Sequence, residues 1–208
     1  DNDVWSLKMD IEIPEVCIEE AQAVYDEGFF VEHRFGNGGH GGWKSASIHS
    51  FVEKGKDLDM GWFHTKNPEG HGLREKDVEW GWTEIAEVCP ETKRWLEEFP
   101  HKSYRRLRFM LLEPGASIDA HNDASPQRIR ENRIRNIACA TNLAFYQPET
   151  CYLRRADTKE EYPFENCTGF WFDNGVEHEA LNSSNENRYH FIMHGGFNKE
   201  REELMKKS

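Results

Sequence analysis

The 208-residue chain has no long apolar run, no closely spaced cysteine pair and no excess of basic residues. Its apolar runs fall well short of the roughly 18 residues that a membrane-spanning helix needs. The first ten residues also lack the basic-then-apolar layout of a signal peptide. The five cysteines are widely spaced without a Cys-x-x-Cys pair, which suits a reducing compartment better than a disulfide scaffold. We therefore expect a cytoplasmic protein.

The charge balance of the chain is acidic. Its 38 Asp and Glu against 26 Lys and Arg give a formal net charge of −12. Because such a surface repels polyanions, we expect no nucleic-acid partner and no membrane partner. Basic residues are concentrated in residues 102–135, where eight of them stand against four acids, so this segment carries +4 and the remainder −16. A small dianion is the partner expected for this segment.

The N-terminal half mixes helical and extended patterns. KMDIEI predicts a short strand, PEVCIEEAQAVYDEG a helix that Gly28 ends, and PETKRWLEEF a helix that begins at Pro90. Residues 54–81 show no sustained period, so irregular connections are predicted there. The segment FGNGGHGGWK holds five glycines and is expected to be a loop. It is interpreted either as a candidate lid whose His40 and Trp43 contact substrate or as a glycine-rich linker between strands.

The C-terminal half is a succession of short extended runs separated by turn signals, from YRRLRFMLLE through ASIDAH, RNIACATNLAFY, CYLRR, TGFWFD and HEALN to RYHFIMHG. This pattern predicts an all-β sandwich or barrel. With 37% hydrophobic and 12% aromatic residues, the chain has enough apolar side chains to form one hydrophobic core. We therefore expect a single domain, residues 1–208. In it, residues 1–103 form an α/β part that supplies scaffold helices and substrate walls, residues 104–197 the β core, and residues 198–208 a solvated tail.

Three polar residues in the β half suggest a metal site. His121 and Asp123 are two positions apart in HND, a spacing that places both side chains on one face of an extended strand. His178 stands at the start of a later predicted strand and is the candidate third ligand. Two histidines and one carboxylate form the facial triad of non-haem Fe(II) oxygenases, which leaves coordination positions open.

A fourth residue, Arg188, stands ten positions after His178 in the apolar run RYHFIM. A buried guanidinium there needs an anionic partner and can bind a carboxylate with two parallel hydrogen bonds. His190 and His194 share the face of Arg188 if the strand alternates. Each of them is expected either to line the pocket or to satisfy a hydrogen bond in the core.

The stretches RFMLLEPGASIDAHND, RIRNIACATNLAF and GFWFDNGVEHEALNSSNENRYHFIM resemble the aspartyl/asparaginyl β-hydroxylase family of Fe(II)- and 2-oxoglutarate-dependent dioxygenases. The cis-proline hydroxylases are near relatives of that family. The resemblance covers about residues 104–197 and implies a double-stranded β-helix, the cupin-like jelly roll, with the metal at one mouth. It implies that His121, Asp123 and His178 bind the iron and that Arg188 binds the distal carboxylate of 2-oxoglutarate.

The chain departs from the family pattern at two points. Family members usually carry a histidine two residues after an arginine in the middle strand, whereas RIRNIACATN places Asn136 or Ile137 there. Arg135 is therefore expected to support the cosubstrate or substrate, and Asn136 is a candidate substrate contact. The animal aspartyl hydroxylases lack a carboxylate ligand, whereas this chain supplies Asp123. Its presence places the chain nearer the amino-acid hydroxylases and favours hydroxylation over halogenation.

The resemblance implies an enzyme that uses Fe(II), 2-oxoglutarate and O2 to hydroxylate an unactivated C–H bond of a small amino acid, peptide side chain or related metabolite. Succinate and CO2 would be the co-products. One alternative is a cupin-like metal-binding protein, a sensor or an isomerase, without oxygenase activity. Another is a hydroxylase that modifies a partner protein through an open cleft. Arg188 discriminates against the cupin alternative, because a protein that is not an oxygenase has no need of that cation.

Overall fold

Two antiparallel β-sheets face each other, and two helices cover the outer face of the larger sheet. The structure is a computed structural model that describes residues 6–33, 35–36, 39–53, 78–100, 104–123, 140–172 and 175–195. The helices are α1 (Val16–Asp26) and α2 (Pro90–Glu98), with a short 3-10 helix at Glu84–Glu87 between them. The strands are β1 (Ser6–Glu12), β2 (Val31–Glu32), β3 (Phe35–Gly36), β4 (Gly39–His40), β5 (Trp43–Glu53), β6 (Val78–Trp82), β7 (Tyr104–Leu112), β8 (Ser117–His121), β9 (Ala140–Tyr146), β10 (Cys151–Arg155), β11 (Thr168–Phe172), β12 (His178–Asn182) and β13 (Arg188–Gly195).

The order of the strands shows how the chain winds. The larger sheet runs β1-β11-β9-β13-β7-β5-β2, with β6 also paired to β5, and the smaller sheet runs β10-β12-β8-β4-β3. From β7 to β13, successive strands therefore alternate between the larger and the smaller sheet. This alternation is the winding of a double-stranded β-helix, so the predicted jelly roll is confirmed.

Both faces of the larger sheet are apolar, and strand β7 shows why. Its residues Leu107, Phe109 and Leu111 belong to the core between the sheet and the helices, whereas Met110 and Leu112 belong to the core between the two sheets. Side chains alternate across a strand, so one apolar run serves two cores. The space between the sheets is where the polar side chains of the predicted site converge.

The predicted helices and the strands of the C-terminal half are observed within a few residues of their expected bounds. Gly28 ends α1 with a φ of 77°, a left-handed conformation that glycine adopts at no steric cost.

Two expectations for the N-terminal half are wrong in part. Residues 78–81 were expected to be irregular, but they belong to β6, which pairs along β5 from His49↔Trp82 to Glu53↔Val78. The glycine-rich segment was expected to be a loop, but β4 joins the smaller sheet through Gly39↔Ile118. Long-range pairing overrides the weak local signal in both places. Residues 54–77 and the tail at 198–208 lie outside the described residues.

Helix α2 begins without a capping side chain of its own, because its N-cap is Cys89 and its first residue is Pro90. Glu20 of α1 supplies the cap instead. Its carboxylate accepts hydrogen bonds from the backbone N–H of Glu91 at 2.9 Å and of Thr92 at 2.6 Å, and from the Thr92 hydroxyl at 2.7 Å. A buried carboxylate thus satisfies the free N–H groups of one helix and ties it to another.

We expect Glu20→Ala to lower the free energy of unfolding by about 2 kcal/mol, since it leaves one buried and one partly buried N–H group without this acceptor. Urea unfolding followed by circular dichroism measures this loss. Glu19→Ala, at an exposed position of the same helix, is the control and should change stability by less than about 0.5 kcal/mol. Equal losses in both variants would contradict the capping role of Glu20.

Candidate metal centre

Three side chains converge at one end of the smaller sheet. His121 is the last residue of β8 and His178 the first of β12, and the two are direct partners across the strands. Asp123 follows His121 by two residues. Its Oδ1 lies 3.3 Å from His121 Nε2, and its Oδ2 lies 3.3 Å from His178 Nε2. One ligand atom from each residue lies within 4.8 Å of the others, a group that could hold a metal ion.

Hydrogen bonds orient both imidazoles toward Asp123. His121 Nδ1 lies 2.9 Å from the Asp119 carbonyl oxygen, and His178 Nδ1 lies 2.7 Å from the Val176 carbonyl oxygen. A carbonyl oxygen only accepts, so Nδ1 carries the hydrogen in both rings. Each Nε2 is left facing the carboxylate, where it either shares a proton with Asp123 or donates its lone pair to a metal. Backbone partners of this kind are usual behind metal-binding histidines.

Asp123 stays ionised at this site although its side chain is only 34% exposed. Burial alone would raise the pKa of Asp123, but hydrogen bonds with His121 and His178 outweigh it and hold the pKa below its usual range. An anionic oxygen and two imidazole nitrogens are donors that suit Fe(II). The donor set therefore fits the metal that the facial triad predicts.

Aromatic rings flank both histidines. The Trp43 ring lies 6.0 Å from the His121 ring, and the Phe172 ring lies 5.0 Å from the His178 ring. Trp43 is 8% exposed and also packs against the ring of His33 at 4.7 Å. These rings shield one side of the cluster from water and limit the movement of its imidazoles.

A cavity extends from the triad into the space between the sheets. Arg188 of β13 lies in its wall and is only 4% exposed. Within the described part of the chain, its Nε has no hydrogen-bond partner. Burial lowers the pKa of Arg188. A buried guanidinium in this state is suited to an anion that enters the cavity, such as a carboxylate of 2-oxoglutarate.

His190 lies in the same wall but has a different role. Its Nε2 lies 2.7 Å from Gln147 Oε1, while Gln147 Nε2 donates to the Cys151 carbonyl oxygen. That second bond fixes the amide, so Oε1 accepts and His190 donates. Burial and, after it, the charge of Arg188 lower the pKa of His190 well below its usual 6.5. His190 is therefore a neutral residue that both lines the cavity and satisfies a hydrogen bond in the core.

The other predicted contacts have mixed outcomes. Trp43 lines the cavity, whereas His40 does not line it among the described residues and forms an exposed pair with Asp119 at 2.6 Å. The structure thus does not bring His40 to the metal side of the sheet. Arg135 and Asn136 lie outside the described residues.

Sequence reasoning did not single out the apolar part of the wall, which is formed by Met110, Ile118, Leu153, Phe170, Phe172, Ala180 and Ile192. The alternation of these residues along the predicted strands indicates a buried face. It does not show which face is turned toward the metal.

A family model described as Aspartyl/Asparaginyl beta-hydroxylase matches residues 18–195. The chain belongs to the aspartyl/asparaginyl β-hydroxylase family. The match begins in α1, so it extends well beyond residues 104–197, where the motifs alone had placed the resemblance. The protein is accordingly a 2-oxoglutarate-dependent non-haem iron hydroxylase, which works with Fe(II), 2-oxoglutarate and O2. No curated protein matches the sequence.

Three solved structures resemble the aspartyl/asparaginyl β-hydroxylase chain at low identity. A Pseudomonas putida prolyl-4-hydroxylase is 12% identical over 93% of both chains, with a TM-score of 0.45. A viral collagen prolyl hydroxylase from Paramecium Bursaria Chlorella virus-1 is 12% identical over 95% of this chain and 98% of its own, with a TM-score of 0.46. A 2OG-Fe(II) oxygenase family oxidoreductase from Burkholderia pseudomallei is 10% identical over 88% of this chain and 82% of its own, with a TM-score of 0.42.

Neither helix among the described residues has the length and apolarity that a membrane crossing requires.

We expect Asp123→Asn to weaken binding of Co(II), a spectroscopic substitute for Fe(II), by at least about 100-fold, since it removes the anionic donor. Titration followed by visible absorption measures the affinity. Asp157→Asn, at an exposed position beside Arg155, is the control and should bind Co(II) as the wild type does. Wild-type affinity in Asp123→Asn would remove Asp123 from the ligand set.

Proposed function

We propose that His121, Asp123 and His178 hold Fe(II) and that Arg188 binds the distal carboxylate of 2-oxoglutarate. The enzyme then hydroxylates an unactivated C–H bond of a small amino acid, a peptide side chain or a related metabolite, with succinate and CO2 as co-products. The observation that carries this proposal is the buried Arg188, whose Nε has no partner among the described residues and which lies in the cavity of the His-Asp-His cluster.

When bound, the iron supplies the activation of O2 that is coupled to oxidative decarboxylation of 2-oxoglutarate. The protein contributes geometry and charge. His121, Asp123 and His178 would hold the metal and would leave coordination positions for the cosubstrate and O2. Arg188 orients the cosubstrate by pairing with its far carboxylate. His190 stays neutral beside Arg188, so it adds no second positive charge and holds its ring against Gln147.

Trp43 and Phe172 are proposed to exclude water from the reacting centre and to form walls against the substrate. Their rings stand next to the two metal-facing imidazoles and leave limited room there. This supports a small substrate or a single side chain over a broad protein surface. Arg135 is retained as a proposed support for the cosubstrate and Asn136 as a proposed substrate contact, on the basis of the family resemblance alone.

We expect Arg188→Met to raise the KM for 2-oxoglutarate by about 100-fold or more, because the carboxylate loses a desolvated cationic partner. Succinate formation at increasing 2-oxoglutarate concentrations measures this effect. The unfolding free energy of the metal-free protein should stay the same or rise, since methionine removes a buried charge whose Nε has no partner among the described residues. Arg94→Met, at an exposed position of α2, is the control.

A KM for 2-oxoglutarate that is unchanged in Arg188→Met would contradict the cosubstrate role. Failure of the wild type to form succinate with any amino acid or peptide, together with no binding of Fe(II) or 2-oxoglutarate by calorimetry, would overturn the proposed reaction itself.

A further inference from the structure

The wall of the cavity contains one aromatic ring that is easier to oxidise than the others. Apart from histidines, the aromatic residues that line the cavity within the described part of the chain are Trp43, Phe170 and Phe172. The indole ring of tryptophan gives up electrons more readily than a phenyl ring does. Trp43 is also the first residue of β5, so a strand fixes its backbone. An oxidant formed in this cavity therefore has a reactive side chain in its wall.

Strand pairing places Trp43 on the side of the larger sheet that faces the metal cluster. Trp43 is the direct partner of Leu112, and Leu112 is the direct partner of Arg188. Direct partners point to the same side of a sheet, so the indole shares its side with the proposed cosubstrate contact. The centroid of the Trp43 ring lies 6.0 Å from that of His121. The indole thus borders the space between a proposed iron ligand and the proposed cosubstrate contact.

Packing keeps the indole in this space. Trp43 is nearly buried, and its ring lies against the ring of His33 with the centroids 4.7 Å apart. His33 is fixed in turn. Its backbone N–H donates to the Trp43 carbonyl oxygen at 2.7 Å, and its Nδ1 lies 3.0 Å from Ser45 Oγ. The indole is therefore held in the cavity wall when no substrate is present.

Two other side chains in the wall compete with Trp43 as targets. The Phe172 ring lies nearer to its histidine, with the centroids of Phe172 and His178 5.0 Å apart, but a phenyl ring is the harder one to oxidise. Met110 carries an oxidisable sulfur. It pairs with His190 in the neighbouring row of the sheet and is buried. Only Trp43 combines an electron-rich ring with a position beside a proposed metal ligand.

We propose that Trp43 is a self-hydroxylation site: when no substrate is bound, the enzyme hydroxylates an indole C–H bond of this residue. The proposal rests on the proposed function, because it uses the same iron, 2-oxoglutarate and O2. One oxygen atom of O2 enters succinate as 2-oxoglutarate loses CO2. The other is inserted into the indole C–H bond, whose hydrogen stays on the new hydroxyl group. 2-Oxoglutarate and the indole each lose two electrons, and O2 takes up all four.

Peptide mapping tests the proposal, because trypsin isolates Trp43. Cleavage after Arg34 and Lys44 releases residues 35–44, in which Trp43 is the only tryptophan and no methionine or cysteine occurs. The wild type is incubated without substrate in Fe(II), 2-oxoglutarate, isotopically labelled O2 and catalase. We expect this peptide to gain the mass of one labelled oxygen atom. The peptide of residues 95–102 carries Trp95, which packs on the helix side of the larger sheet, and should gain none.

Two variants and one omission separate this reaction from random oxidation. Trp43→Phe should abolish the gain of mass at residues 35–44. Asp123→Asn removes a proposed iron ligand and should abolish it as well. Omission of 2-oxoglutarate should have the same effect in the wild type, since no oxidant is then formed at the metal.

The proposal is overturned if a wild type that binds Fe(II) and 2-oxoglutarate leaves residues 35–44 unlabelled. It is also overturned if the label appears instead in residues 109–128 or 160–188, which carry Met110 and Phe172. Labelling of Asp123→Asn, or of the sample without 2-oxoglutarate, as strong as that of the complete wild-type sample would contradict it too. A wild type that binds neither Fe(II) nor 2-oxoglutarate would instead mark failure of the proposed function, and self-hydroxylation would fail with it.

Discussion

The pairing of His121 with His178 across β8 and β12 is the contact on which the site depends. It brings two residues that are distant in the sequence to neighbouring positions, with Asp123 only two residues away. The pairing exists because successive strands from β7 onward alternate between the two sheets, which places β8 and β12 side by side. Backbone carbonyls of Asp119 and Val176 then orient both rings. The strand pairing of the jelly roll thus brings the three donor residues together, and local hydrogen bonds orient the two imidazole rings.

The cavity behind this pair is electrostatically unusual. Arg188 is buried, and its Nε has no partner among the described residues, while His190 next to it is kept neutral by burial and by the charge of that arginine. Such an arrangement costs stability in the metal-free protein, because a buried charge has a donor that the described residues leave unsatisfied. A binding residue is expected to destabilise the unliganded protein when the partner of that residue is a ligand.

Much of this architecture could be predicted from the sequence. The C-terminal strands follow from short apolar runs between turn signals, and the triad follows from the HxD spacing with a later histidine at a strand entrance. Arg188 followed from its position in an apolar strand. What could not be predicted depends on register between distant strands. The incorporation of β6, the outward placement of His40 and the bond between His190 and Gln147 are examples.

We propose that one site binds iron through the His-Asp-His cluster and 2-oxoglutarate through Arg188. The most direct measurement is an anaerobic titration of the protein with Fe(II) and then with 2-oxoglutarate, followed by visible absorption. We expect one bound Fe(II) per chain and a metal-to-ligand charge-transfer band that saturates at one 2-oxoglutarate. Absence of Fe(II) binding, or Fe(II) binding without any new absorption on addition of 2-oxoglutarate, would contradict it.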